Sequence, residues 1–142
     1  MRHLPLPSTR SSWRLILIML VATSGCGGPR LYPVRGKVVY EDGTPLKGGM
    51  VVFEAADAGV KVSASGPIRP DGTFVLGTHR EGDGAVAGKH RVLVVPPLPP
   101  RLEEKNLPPP AIHPRFQNFD TSQLEFVVGP DQTDFTIVVE KP

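Results

Sequence analysis

Histidine, serine, cysteine and the acidic residues are the side chains that would carry chemistry in a chain of 142 residues, and here they are widely scattered. His79, His90 and His113 lack the i,i+4 or short-loop spacing by which imidazoles share a metal ion. Ser63, Ser65 and Ser122 stand outside any Gly-x-Ser-x-Gly turn, the context that exposes a serine nucleophile beside its base. Glu81, Asp83 and Gly84 lie in a glycine-rich stretch that can offer oxygen ligands to Ca²⁺. The alternating acids of a calcium loop are missing there. Asp131 and Asp134 read as turn and strand-entry residues. No glycine loop for phosphate is present. These patterns assign no catalytic residue, no metal site and no cofactor.

One reactive group remains, the single cysteine, Cys26. Arg2, Arg10 and Arg14 form a positive start, and Leu15 to Ala22 is an unbroken apolar run of eight residues. Thr23, Ser24 and Gly25 are small, and Cys26 follows directly. Residues 1–25 thus have the three parts of a secretory signal. Eight helical residues span about 12 Å, far less than a hydrocarbon core of about 30 Å, so a permanent membrane span is not expected. No Arg-Arg pair precedes the run, which favours the general secretory route. Thr23-Ser24-Gly25-Cys26 resembles the lipobox of bacterial lipoproteins. The resemblance implies a diacylglyceryl group on the Cys26 sulfur and cleavage before it. Thr23 departs from the family pattern, which usually has Leu three places before the cysteine. Gly27, rather than Asp, follows it, and this implies a lipoprotein sent on to the outer membrane. Residues 26–31 would then be a lipidated tether and residues 32–142 the folded domain.

Dividing the chain there also changes its charge. The whole sequence is +2, but without Arg2, Arg10 and Arg14 its 16 bases become 13 against 14 acids. The domain is therefore close to neutral, and aromatics are only 6% of the chain. A basic, stacking surface for nucleic acid is excluded on both counts. The 17 prolines and 15 glycines argue against a helical bundle, and one cysteine cannot build a disulfide framework.

From Tyr32 onward the period is two. Val34, Gly36, Val38 and Tyr40 alternate with Arg35, Lys37 and Val39, and Asp42-Gly43 supplies a turn. Met50 to Ala55 is nearly all apolar and reads as a central strand. Val62, Ala64, Gly66 and Ile68 share one face of the next strand. Asp71-Gly72 turns the chain into Thr73–Thr78. Lys89 to Val95 places His90, Val92 and Val94 on one face, and residues 123–128 and 134–140 complete the set. The expectation is an all-β, seven-stranded antiparallel β-sandwich. Pro96 to Pro114 holds eight prolines in 19 residues and cannot run inside a sheet. It is read as a long crossover, with one possible helical turn at Arg101–Asn106.

Three motifs follow in order: Gly36-Lys-Val-Val-Tyr-Glu-Asp-Gly-Thr-Pro-Leu46 leading to Gly49-Met-Val-Val-Phe53, then Pro70-Asp-Gly-Thr-Phe74, then Gly88-Lys-His-Arg-Val92. Over residues 34–95 this resembles the carboxypeptidase regulatory-like domains, whose sandwich is transthyretin-like (prealbumin-like). The resemblance implies an accessory domain and not a peptidase. It implies core roles for Val52, Phe53, Phe74 and Val92. His90 departs from the family, which usually has Tyr on that strand, so a polar or partly exposed site is expected there. Hydroxyisourate hydrolases share the fold, but their C-terminal Tyr-Arg-Gly-Ser signature is absent from this chain, which ends Val139-Glu140-Lys141-Pro142.

The function expected is a non-enzymatic module secreted across the inner membrane and held in the cell envelope by its lipid. Its partner would be the membrane, with an envelope protein or a glycan as a further partner. For the alternative, a carbohydrate-binding or envelope-assembly accessory, Tyr32, Tyr40, Phe116 and Phe119 are the aromatics outside the expected core.

Overall fold

A computed structural model describes residues 27–57, 59, 61–98 and 109–142. The signal segment, Cys26 and the expected turn at Arg101–Asn106 lie outside the described residues.

The described chain is mostly β. Its strands are β1 (Leu31–Tyr32), β2 (Arg35–Tyr40), β3 (Met50–Ala55), β4 (Ser63–Pro67), β5 (Thr73–Val75), β6 (Ala85–Val86), β7 (Gly88–Val95), β8 (Leu124–Val128) and β9 (Asp134–Val139). A 3-10 turn at Pro114–Gln117 and the one-turn helix α1 (Phe119–Ser122) precede β8. Four strands form one sheet in the order β4-β3-β7-β8, three form another in the order β5-β2-β9, and β1 pairs with β6.

Alternation does most of the building. Along β7 the side chains of His90, Val92 and Val94 are buried while Lys89, Arg91 and Leu93 face outward. Along β9 Phe135, Ile137 and Val139 are buried. The inner faces of the two larger sheets meet in one core. Phe53 of β3 sits at its centre, with ring centroids 6.4 Å from Phe74, 6.0 Å from Phe135 and 5.9 Å from Phe126. Val52 is only half-buried, because the pleat that turns Val51 and Phe53 inward turns Val52 out.

Two Asp-Gly-Thr turns set the strand directions. Asp42 Oδ1 accepts the Thr44 N–H at 2.9 Å, and Asp71 Oδ1 accepts the Thr73 N–H at 3.0 Å. Gly43 and Gly72 take φ values of +81° and +84° between them, a conformation that disfavours any side chain.

The pairing is not purely antiparallel. β2 and β9 run parallel, with Arg35 opposite Asp134 and Tyr40 opposite Val139. The turn at Gly129–Gln132 explains this. It carries the chain from β8 in the larger sheet to β9 in the smaller one, and does not fold β9 back onto β8. β9 must then leave the same end of the molecule that β2 leaves.

Thr73–Thr78 was expected as one strand, but β5 stops at Val75. Beyond it the chain changes sheets: Leu76 N–H donates to Val34, and Gly77 exchanges both backbone hydrogen bonds with Ser65 of β4. That crossing closes one side of the structure. On the other side β8 pairs only with β7 and β9 only with β2 among the described residues.

The molecule thus has two ends. The near end holds Gly27–Arg30, the β1–β6 pair, residues 56, 57, 59, 61 and 62, the loop at 77–84, and the turn at 129–132. The far end holds the two Asp-Gly-Thr turns, Val95–Leu98, and residues 109–118 as they return toward α1.

Candidate functional site

The residues singled out from the sequence are not brought together. His79 lies in the near-end loop. His113 is exposed at the far end, where its Nδ1 accepts the Arg115 N–H at 3.2 Å. His90 is in the core, 1% exposed, with its ring centroid 5.8 Å from Phe53. Of the two expectations for this position, polar or partly exposed, the site is the first: polar and fully buried. Its Nε2 meets the Val86 carbonyl at 2.9 Å, and its Nδ1 has no hydrogen-bond partner. The contact makes Nε2 the donor and ties the start of β7 to β6. Among the described residues no three His, Cys, Asp or Glu side chains converge as metal ligands would.

The glycine-rich loop uses its carboxylate on itself. Asp83 accepts the backbone N–H groups of Thr78 at 2.6 Å, Arg80 at 3.0 Å and His79 at 3.1 Å. The Thr78 N–H, with those of His79 and Arg80, holds the Asp83 carboxyl below the usual carboxylate range. Gly82 and Gly84, with φ of +78° and +94°, let the loop wrap around that one side chain. Glu81 points to solvent, so the two acids do not form a ligand pair.

Serine plays structural parts. Ser122 is buried. Its Oγ donates to the Val92 carbonyl at 2.6 Å, pinning α1 beside β7. Ser63 and Ser65 lie exposed on the outer face of β4. Asp134 is ion-paired with Arg35 across the β2–β9 ladder at 3.5 Å, and Asp131 is exposed in the turn before it.

Of the aromatics considered for a glycan, Phe116 is buried and Tyr32, Tyr40 and Phe119 are half-buried. Phe116 is 1% exposed and belongs to the core, contrary to its expected place outside it. Tyr32 and Tyr40 lean on that core, and the Tyr40 hydroxyl donates to the Ala111 carbonyl at 2.8 Å. Phe119 is half-buried beneath the Arg91 guanidinium, 5.6 Å from its centroid. Phe116, being buried, is closed to a sugar, while Tyr40 lines a surface pocket with Glu41, Asp42, Glu140 and Lys141.

Sequence reasoning missed a charged network on the outer face of the larger sheet. Arg91 donates to Glu54 at 2.6 Å and to Asp120 at 2.9 Å, so one side chain joins β3, β7 and α1. Glu54 beside it pushes the Arg91 guanidinium up from its ordinary value. Glu125 does the same for Lys89, its partner at 2.9 Å. The available signal was the placement of Glu54 and Arg91 at outward positions of two neighbouring strands. Farther along the same face lie exposed apolar side chains: Met50, Val95 and, just past β7, Leu98 at 73% exposure.

This geometry offers surfaces for contact. The open side, where β8 and β9 lack outer neighbours among the described residues, has Phe126 and Phe135 facing each other at 5.1 Å in the groove between. No helix among the described residues is long and apolar enough to cross a membrane. Set against protein-family models, curated proteins and solved structures, the chain has no match.

Proposed function

We propose that this chain is a non-enzymatic, lipid-anchored β-sandwich of the transthyretin-like, carboxypeptidase regulatory-like kind. It is secreted across the inner membrane and displayed in the cell envelope, at the outer membrane. The observation that carries the reading is the position of the lone Cys26, directly after an apolar run and three small residues and just before the domain. Two further observations support it. Gly27–Arg30 are exposed, and the first paired residue is Leu31, so a modified Cys26 can reach a bilayer without disturbing the fold. The sheets of three and four strands suit the proposed sandwich. Each buried CH₂ contributes about 0.8 kcal/mol to anchoring, so two or more acyl chains hold stably where one is marginal.

The test is Cys26→Ser. The variant is expected to accumulate as full-length precursor or soluble product while keeping the circular dichroism of the wild-type domain. Wild type is expected in the detergent phase, lighter than the precursor and labelled by radioactive fatty acid. A free thiol at Cys26 in the mature wild-type protein would rule out the anchor.

For a partner beyond the membrane, an extended protein segment is favoured over a glycan. Phe116 is buried and the other candidate aromatics are half-buried, whereas the β8 and β9 edges carry backbone groups of the kind that accept an added strand.

A further inference from the structure

We propose that β8 is the edge to which an extended protein segment adds, and that the groove beside it selects a segment in which basic and apolar side chains alternate. The inference rests on the reading above that an extended segment is the partner, and it names the edge and the side chains that recognise it.

The groove is lined by Glu125, Phe126 and Val127 of β8, by the turn that follows, and by Asp134 and Phe135 of β9. Three consecutive residues make β8 its longer wall. Edge strands are commonly blunted by lysine, proline or a bulge. Leu124-Glu-Phe-Val-Val128 has no lysine and no proline, and its register with β7 is unbroken from end to end. Among the described residues nothing pairs with its other side.

The period of two sets what an added strand presents. Opposite Phe126 its side chain faces inward, over the Phe126 and Phe135 rings, whose centroids are 5.1 Å apart. Phe126 is half-buried and Phe135 is 9% exposed, so an apolar side chain there finishes covering this margin of the core. Opposite Glu125 and Val127 the side chains face outward, as those two residues do. A lysine or arginine suits both places. Its head meets the Glu125 carboxylate, and its methylene stem lies on Val127, which is 52% exposed.

The charge of the groove agrees with this pattern. Its lining holds three carboxylates, Glu125, Asp131 and Asp134, and no cation. From outside the lining Lys89 meets Oε2 of Glu125, and Arg35 lies 3.5 Å from Oδ2 of Asp134. Asp131 has no ion-pair partner among the described residues. A carboxylate accepts several hydrogen bonds, so all three can take a further cation. Opposite charges across a strand pair favour the pairing and like charges oppose it, so an acidic segment is rejected.

The experiment uses the full mature chain in dodecyl maltoside, with empty micelles as the blank. The probe is the peptide Thr-Lys-Val-Lys-Phe-Lys-Val-Thr, carrying a neutral dye at its N-terminus and read by fluorescence anisotropy. One companion has the same residues with the lysines grouped, and another has Glu in place of each Lys. The alternating basic peptide is expected to bind several-fold more tightly than either. Asp131→Lys is expected to weaken it several-fold and to improve binding of the acidic companion. Glu41→Lys, at an exposed far-end position, is expected to change neither. Hydrogen exchange should slow at the β8 amides when the peptide binds, and not at those of β4. Equal binding of the alternating and grouped peptides, or protection gained at β4 or β9 in place of β8, would overturn the proposal. So would a dimer seen by light scattering without peptide and protected at β8, since the edge would then belong to a second copy. If no peptide binds, the extended-partner reading falls as well; if all three bind alike, this inference falls alone. The lipid anchor, read by fatty-acid labelling, is decided apart from both.

Discussion

The two ends of the molecule are closed by different means. At the near end the side-chain contacts of the 77–84 loop are local: Asp83 binds N–H groups three to five residues away, and Thr78 Oγ1 donates to the Gly84 carbonyl at 2.7 Å. At the far end they join distant parts of the chain. Tyr40 reaches Ala111, Arg115 pairs with Glu140, and Lys141 lies 3.0 Å from Asp42, a separation of 99 residues. Ile112 and Phe116, from the segment that returns after the prolines, plug the core there. A loop held by its own backbone can open without the rest. A segment whose side chains complete the core cannot leave without exposing it.

The far end should therefore show the largest effect. Phe116→Ala removes a ring that is 1% exposed, and it is expected to cost about 3–5 kcal/mol in urea unfolding, lowering the midpoint for the whole domain. A loss below about 1 kcal/mol would mean the returning segment lies on the core without completing it.

At the near end the corresponding change is Gly84→Ala. Its backbone sits at φ +94°, and a Cβ there would fall on the Tyr32 carbonyl. The strain is expected to cost about 1–3 kcal/mol. Part of it should appear as faster hydrogen exchange at the β1 and β6 amides, while those of β3 and β7 stay protected. If exchange rose equally in all four strands, the near end would not open as a separate unit.

This contrast was only partly legible in the sequence. Alternation gave the inward set His90, Val92 and Val94 directly, since a strand with one buried face has no other register. The Asp-Gly-Thr turns were legible because they are chemistry within four residues. Phe116 was not, as it follows a proline-rich stretch without a period, and its burial depends on where that stretch returns. The parallel β2–β9 pair escaped for the same reason. It depends on which sheet the chain enters after Gly129–Gln132, and a turn's composition does not specify that. Of the candidate site, Cys26 is legible in the sequence alone and lies outside the described residues. Asp83 was noticed as a possible oxygen ligand for Ca²⁺, whereas its carboxylate accepts backbone N–H groups of its own loop. Residues 78–80 carry the donors on their backbone, where side-chain patterns give no sign of them.

That carboxylate also supplies the smallest and most specific test. Asp83, Asp42 and Asp71 all have carboxyls held below their ordinary value of about 3.9. The Thr78 N–H is the main cause for Asp83. The Thr44 and Thr73 side-chain hydrogen bonds are the main causes for Asp42 and Asp71. A lowered value in the folded state means that folding favours the ionised form. The stabilisation is present above the unfolded value and is lost as pH falls through the folded one. Thermal midpoints of wild type should therefore decline below about pH 4. Asp83→Asn keeps one acceptor oxygen but cannot ionise, so at neutral pH its midpoint should lie slightly below that of wild type. The gap should close as pH drops, because protonation removes from wild type what the substitution removed from the variant. Asp42→Asn should behave alike at the far end, where Lys141 adds to the shift. Midpoints that stay separated by the same amount from neutral pH to below about pH 3 would show that the Asp83 charge does not hold the near-end loop.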